Sequence, residues 1–157
     1  MVNNHGEEIL HKEFLSYQQI FQLSDQVIFK GRVVSGMGEG RYYTEQDGYI
    51  KQFKQKLGFI PYPGTLNAEI EFIERNKLRL LKNHSAINID EFRTNNRTFG
   101  GVKCYKAEIN EVIGAIVLPL RSHYSNILEF ISPFFLREKL NLKNDDIVNI
   151  VIFFNNK

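Results

Sequence analysis

Apolar and polar residues alternate with a helical period at the start of the chain and with a strand period over most of the remaining sequence. In the first segment the apolar positions lie three or four residues apart, at Leu10, Phe14, Tyr17 and Phe21. Ser24-Asp25 marks a break after them. The pattern predicts a helical extension over residues 1–27, which could pack on the main domain or on a partner.

From residue 28 onward the pattern changes to short runs rich in β-branched and aromatic residues. These runs predict strands at residues 28–34, 65–72, 87–92, 98–109, 112–118, 126–132 and 145–153. Pro119 and Pro133 end two of the strands, and a turn at residues 94–96 is expected to join two others as a pair.

Two short helices interrupt the strands. In residues 48–58 one helical face carries Tyr49, Ile50, Phe53 and Leu57. Gly58 is a natural C-terminal stop for this helix. Residues 134–140 can form the second helix. Several short strands, turn signals and only small helices predict a mainly β protein, built as a β-barrel over residues 28–157.

Length, charge and cysteine content narrow the class of protein. The 157 residues fit one domain, and 20 Lys and Arg against 18 Asp and Glu give a net charge of +2. That balance argues against nucleic acid or an anionic membrane as a partner. One cysteine, Cys104, excludes an intramolecular disulfide and suits a small buried side chain. Without an apolar run of about 18 residues or a signal peptide, we expect a cytoplasmic monomer.

A glycine-rich segment at residues 35–42 is the first candidate for chemistry. Its Gly-x-Gly-x-Gly spacing follows a predicted strand, and glycines let a ligand come close to backbone N–H groups that can hold an anion. Arg41 would add a forked donor for phosphate. The spacing matches neither the Rossmann fingerprint nor the P-loop. A simple connection between strands therefore remains the alternative.

The second candidate is the pair Thr65 and Asn67. Residues i and i+2 of a strand point to one face, so the Thr65 hydroxyl and the Asn67 amide oxygen project together. Two neutral oxygens suit Mg²⁺ when phosphate and water complete its shell, but hold the bare ion poorly. Metal is therefore expected to arrive with a nucleotide. The alternative is a polar pair that faces solvent.

The third candidate is Glu129, a carboxylate within the apolar run of residues 127–133. If it is held inside, partial burial would raise its pKa toward the range useful to a general base. The alternative is an ordinary exposed glutamate on a strand.

Taken in order, several segments resemble the archaeal CTP-dependent riboflavin kinase family. The matching stretches are residues 31–42, 57–67, 114–119, 131–138 and 140–146. Each is modest alone, but their order and spacing are specific and cover nearly all of the chain after the first helix. The resemblance implies a small six-stranded cradle-loop β-barrel with a CTP site and a riboflavin site.

The resemblance also assigns residues to the nucleotide. By that likeness, the loop that would wrap CTP consists of Met37, Gly38, Glu39, Gly40, Arg41 and Tyr42. The segment that would close over the cytosine side consists of Phe134, Phe135, Leu136 and Arg137.

Metal and acceptor residues follow from the same likeness. Thr65 and Asn67 match the family's magnesium-holding pair, and Glu129 matches its flavin-site glutamate, which would accept the proton of the ribityl 5′-hydroxyl. Ser122 stands near the family's threonine at the FMN phosphate, although residues 122–129 form a segment one residue shorter than expected. The first helix has no counterpart in the minimal domain, and it is too short for the winged-helix domain of larger members.

Two other functions remain open at this point. An ATP-dependent riboflavin kinase would use a similar Thr-x-Asn metal pair. A DNA-binding or regulatory cradle-loop barrel would instead need a clustered basic face, which the near-neutral charge does not supply.

Overall fold

The computed structural model of the chain describes residues 26–81, 83–119 and 126–154. The predicted N-terminal helix and Ser122 lie outside the described residues. The first strand already begins at Gln26, two residues before the boundary predicted for the barrel domain.

The described residues are mainly strands with a few short helices. The strands are β1 (Gln26–Val34), β2 (Leu66–Ile70), β3 (Ile87–Ile89), β4 (Phe92–Thr94), β5 (Arg97–Phe99), β6 (Val102–Ile109), β7 (Val112–Pro119), β8 (Ile127–Ile131) and β9 (Ile147–Phe153). The helices are α1 (Glu39–Thr44), α2 (Asp47–Leu57), α3 (Arg75–Leu81) and α4 (Leu136–Lys139), and a 3₁₀ turn (Phe72–Glu74) precedes α3.

Six antiparallel strands close into a barrel in the order β6-β7-β8-β2-β1-β9, and pairing of β9 with β6 completes the circle. β3 adds to the edge of β6, while β4 and β5 form a separate hairpin. The first strand of the barrel pairs with the whole length of the last, from Gln26 opposite Phe153 to Arg32 opposite Ile147. The predicted mainly β, six-stranded barrel with short helices is confirmed.

Alternation along the strands separates two apolar clusters. The larger one fills the barrel with side chains such as Phe29, Phe130 and Ile150, which are fully or almost fully buried. The smaller one joins α2 to the other face of the sheet and contains Tyr49, Phe53, Leu57, Cys104 and Ala115. This second cluster fixes α2, and with it the glycine-rich segment just before, against the barrel.

Most predicted elements are present, with bounds that differ from the prediction by a few residues. α2 ends as predicted, because Gly58 takes a left-handed φ of 84° and caps it. Cys104 is buried, which raises the pKa of its thiol to about 12, so it serves as a core side chain and not as a nucleophile. No helix in the described ranges has the length and apolar character needed to cross a membrane.

Several parts of the fold differ from the sequence-based expectation. The strands predicted at residues 87–92 and 98–109 each divide, into β3 and β4 and into β5 and β6. Residues 39–42 belong to a helix, α1, although the whole segment 37–42 was predicted as a loop. Gly38, with φ of 81°, turns the chain into this helix, and Thr44 Oγ1 donates to the carbonyl oxygen of Gly40 at 2.9 Å. The 3₁₀ turn and α3 were not predicted, and the strand expected at residues 65–72 ends at Ile70.

Candidate active site

A cleft of about 990 Å³ opens where the glycine-rich segment crosses the barrel. It brings together most of the predicted site residues, namely Met37, Gly38, Glu39, Gly40, Arg41, Thr65, Asn67, Glu129 and Arg137. Residues that sequence reasoning did not single out also line it, including Leu78, Lys103, Val117, Leu118 and Ile127. One cleft therefore contains the three separate candidates.

Thr65, Asn67 and Glu129 form a contiguous polar group. Asn67 on β2 lies directly opposite Glu129 on β8, so both side chains project from the same face of the sheet. Thr65 Oγ1 lies 3.2 Å from Asn67 Oδ1 and 3.4 Å from Glu129 Oε1. The strand register thus joins the predicted metal pair to the predicted base, 64 positions away in sequence.

The glycine-rich segment lies directly on this polar group. A Cβ atom added at Gly36 would be 2.0 Å from Asn67 Nδ2, and one added at Gly40 would be 2.6 Å from Thr65 Oγ1. Beneath this segment, only 8% of the Asn67 surface is exposed to solvent. A side chain at either position would therefore displace the segment or the polar pair, a constraint that the sequence alone did not reveal.

Replacing Gly36 by alanine is expected to slow the riboflavin phosphorylation that the resemblance implies by at least about tenfold, since small displacements of reacting groups lower the rate strongly. The new methyl group must displace either the loop or the Asn67 amide. Steady-state kinetics and thermal melting would be compared with Gly100→Ala, where the added carbon meets no atom within 4 Å. Equal rates for the two variants would contradict the expectation.

The environment of Glu129 favours proton transfer. Partial burial raises the pKa of its carboxyl group above the ordinary value, the contact with Thr65 opposes this, and the negative charge of Glu39 adds to the rise. Glu129 is half-buried in the cleft, which excludes the alternative of an ordinary exposed strand glutamate. A carboxylate with a raised pKa is a stronger base than an exposed one.

The donor set fits Mg²⁺ that arrives with a nucleotide. Thr65 Oγ1 and Asn67 Oδ1 are neutral hard oxygens close enough to face one ion, with the Glu129 carboxylate beside them. Within the described ranges, no group of three or more His, Cys, Asp or Glu side chains is placed to hold a metal ion. Phosphate oxygens would therefore have to supply the rest of the coordination shell.

The segment 134–137 borders a second, smaller pocket of about 70 Å³, which shares Gly64, Thr65 and Arg137 with the main cleft. Phe135 stacks on Tyr62, with ring centroids 4.9 Å apart. Leu136 is 5% exposed and anchors α4 in the core. The predicted cytosine segment thus lies next to the predicted phosphate loop.

Polar contacts connect this segment to the glycine-rich segment. Arg137 donates to the carbonyl oxygen of Val34 at 3.3 Å and to Asn144 Oδ1 at 2.8 Å. Asn144 Nδ2 in turn donates to Ser35 Oγ at 2.8 Å. The two predicted nucleotide-binding segments, about a hundred residues apart in the chain, are therefore held together.

Tyr42 is the one described member of the predicted nucleotide loop that does not line the cleft. Its hydroxyl accepts a hydrogen bond from Arg97 Nη1 at 3.0 Å, and its ring packs against Tyr43 and Phe99. Because Tyr42 belongs to α1, the turn of the helix carries its side chain toward the β4–β5 hairpin. A direct contact between Tyr42 and the nucleotide stays a prediction.

Comparisons with known proteins agree with the resemblance noted in the sequence. Residues 33–152 match the CTP-dep_RFKase family, described as a domain of unknown function, DUF120. The chain is 48% identical over 153 residues to a riboflavin kinase of Archaeoglobus fulgidus, with 97% of this chain and 66% of that protein covered. It is 38% identical to a riboflavin kinase of Thermoplasma acidophilum, with 97% of this chain and 69% of that protein covered. It is 44% identical to a riboflavin kinase of Methanococcoides burtonii, with 96% of this chain and 69% of that protein covered. The chain spans about two thirds of the length of these relatives, and it belongs to the CTP-dependent riboflavin kinase family.

Proposed function

We propose that this chain is a CTP-dependent riboflavin kinase, which transfers the γ-phosphate of CTP to the 5′-hydroxyl of riboflavin and releases FMN and CDP. Family membership supports this activity. The observation that carries the proposal is the contact of Thr65 with both Asn67 and Glu129 beneath a glycine-rich cover. Phosphoryl transfer needs this combination of charge neutralisation, positioning and a proton acceptor.

Thr65 and Asn67 would hold Mg²⁺ through their neutral oxygens. When bound, the ion would neutralise charge on the β and γ phosphates of the nucleotide. The backbone N–H groups of residues 36–40 and the Arg41 side chain would bind phosphate oxygens at the rim of the cleft. Arg41 pairs through Nε with Glu45 Oε1 at 3.1 Å, and the other N–H donors of its guanidinium group would bind phosphate.

Glu129 would accept the proton of the acceptor hydroxyl. As the proton moves to the carboxylate, the 5′-oxygen forms a bond to the γ-phosphorus and the bond from that phosphorus to the bridging oxygen breaks. CDP leaves with the electron pair of the broken bond. Partial burial of Glu129 assists the step, because it makes the carboxylate a stronger base.

The choice of cytosine would come from the segment 134–137. The pocket beside it measures about 70 Å³ and is bordered by the stacked rings of Tyr62 and Phe135, which would pack against the base. Backbone groups of the same segment would pair with the polar edge of cytosine. The base would thereby fix the triphosphate relative to Thr65 and Asn67.

Phosphorylation of riboflavin is expected to be at least about tenfold faster with CTP than with ATP, GTP or UTP. The measurement is FMN formation with each nucleotide at equal Mg²⁺. Equal rates with CTP and ATP would favour the ATP-dependent alternative. If no FMN forms with any of the four nucleotides, the proposed kinase activity is contradicted.

The protein would act on small molecules as a cytoplasmic monomer. Among the described residues the six barrel strands pair with one another around a closed circle, so free strand edges are confined to the short β3 and the β4–β5 hairpin, which supports the monomer. The single buried thiol of Cys104 is compatible with a reducing compartment.

A further inference from the structure

The β4–β5 hairpin contacts α1 through a group of residues that lies outside the lining of the cleft. Arg97 Nη1 donates to the Tyr42 hydroxyl at 3.0 Å, and Arg97 Nη2 donates to the Tyr43 hydroxyl at 3.3 Å. The guanidinium carbon of Arg97 also lies 5.1 Å and 5.8 Å from the centroids of these two rings. One planar, forked cation thus bridges two consecutive tyrosines of the helix, a geometry that a lysine could not reproduce.

The hairpin that carries Arg97 is fixed to the smaller apolar cluster. Phe99, two residues further along β5, is 3% exposed, and its ring centroid lies 4.9 Å from the guanidinium carbon. Phe92, directly opposite on β4, stacks on Phe99 with ring centroids 5.0 Å apart. Tyr49 of α2 lies edge-on to both rings, and its hydroxyl donates to the carbonyl oxygen of Gly100 at 2.6 Å. Arg97 is therefore presented to α1 by a packed aromatic support.

α1 depends on such contacts for its position over the cleft. It is six residues long, and a helix of this length is not stable in water without contacts to the rest of the protein. One contact is made by Thr44 Oγ1, which accepts a hydrogen bond from the backbone N–H of Gly64 at 2.8 Å. The bridge to Arg97 is a second. Because Gly40 of the same helix lies directly on Thr65, the position of α1 sets the position of the cover over the predicted metal pair.

We propose that Arg97 is a positioning residue for the nucleotide, which acts through Tyr42 and Tyr43 to hold α1 and the glycine-rich segment in the position that binds phosphate. The inference rests on the proposed function, because it takes the ligand of this segment to be the phosphates of a nucleotide. Arg97 lies outside the cleft lining, so its effect reaches the phosphates through α1. Without the bridge, α1 would occupy the binding position for only a fraction of the time, and the apparent affinity for the nucleotide falls by that fraction.

The test uses Arg97→Met, which removes the donors and the charge but keeps an unbranched apolar side chain beside Phe99. CDP binding at fixed Mg²⁺, measured by isothermal titration calorimetry, is expected to weaken about three- to tenfold, the range for loss of an exposed cation–aromatic contact and its hydrogen bonds. The KM for CTP should rise by a similar factor. The value of kcat should change less, because saturating nucleotide shifts α1 back to the binding position. Riboflavin affinity, followed by quenching of flavin fluorescence, should stay unchanged.

Arg93→Met is the matched control, because Arg93 is an exposed arginine of the same hairpin and the strand register places it on the face opposite to Arg97. Arg97→Lys keeps the charge without the fork and should recover part of the CDP affinity. Replacing Tyr42 and Tyr43 together by phenylalanine removes the two acceptors from the other side of the bridge. In that background Arg97→Met should weaken CDP binding by a smaller factor than it does in the wild-type protein, since the residues act as one unit.

Each outcome bears on Arg97 or on the kinase separately. A CDP affinity of Arg97→Met equal to that of Arg93→Met would overturn the proposal and leave the kinase standing if FMN still forms. Equal losses of CDP and riboflavin affinity, or a full effect of Arg97→Met in the double phenylalanine background, would also overturn it. CDP binding that depends on Arg97 without any FMN formation would contradict the kinase and support the positioning role. A wild-type protein that binds no CDP would overturn both.

Discussion

Replacing Glu129 by glutamine is expected to lower kcat for riboflavin phosphorylation by about 10²- to 10⁴-fold, the usual contribution of a general base. Glutamine keeps the shape of the side chain and a hydrogen bond with Thr65, but its amide cannot accept the proton of the 5′-hydroxyl. The half-buried position of Glu129 limits replacement of the base by bulk water. The KM for riboflavin should change much less than kcat, because the geometry of the acceptor site is retained.

Single-turnover assays of FMN formation would measure this effect without interference from product release. Glu108→Gln provides the matched control, since Glu108 is also a half-buried strand glutamate but does not line the cleft. Both variants should melt near the wild-type temperature. A turnover for Glu129→Gln within twofold of the Glu108→Gln value would remove Glu129 from the chemistry.

Replacing Asn67 by alanine should cut turnover about 100-fold at ordinary Mg²⁺, the upper range for changes that disturb a metal site. The variant leaves Thr65 as the one neutral donor of the pair. Part of the loss should be recovered at high Mg²⁺, because mass action can offset weaker binding of the ion. Mn²⁺ binding in the presence of CDP, followed by electron paramagnetic resonance, provides a readout that does not depend on turnover.

Asn149→Ala is the control for this variant, because Asn149 is a strand asparagine that lies outside the cleft lining. Circular dichroism would check that both proteins keep the barrel. Mn²⁺ affinity and turnover of Asn67→Ala equal to those of the control would rule Asn67 out as a metal ligand.

Local pattern was sufficient to predict most of the strands and α2. Alternation of apolar and polar residues gave β6 to β9 to within a few residues, and the spacing of Tyr49, Phe53 and Leu57 gave the buried face of α2. These signals depend on neighbours within a few positions, so no tertiary information is needed. α3 was missed, because its short sequence after a 3₁₀ turn lacks a distinct capping signal.

The assembly of the site depended on information that local pattern does not contain. Pairing of β9 with β6 closes the barrel, and the register of β2 with β8 sets Asn67 opposite Glu129. Both are contacts between residues far apart in sequence. For the same reason Lys103 could not be distinguished from a solvent-facing strand lysine, and the close approach of Gly36 to Asn67 was not foreseen.

The pairing of the first strand with the last determines where other proteins can be joined to this domain. Gln26 and Phe153 are neighbours at one pole of the barrel. Val34, at the other end of β1, is eight residue steps or about 26 Å away and lines the cleft. A segment joined directly at Gln26 or at Phe153 is therefore attached at the pole remote from the cleft, and a short linker between these two residues would give a natural starting point for circular permutation.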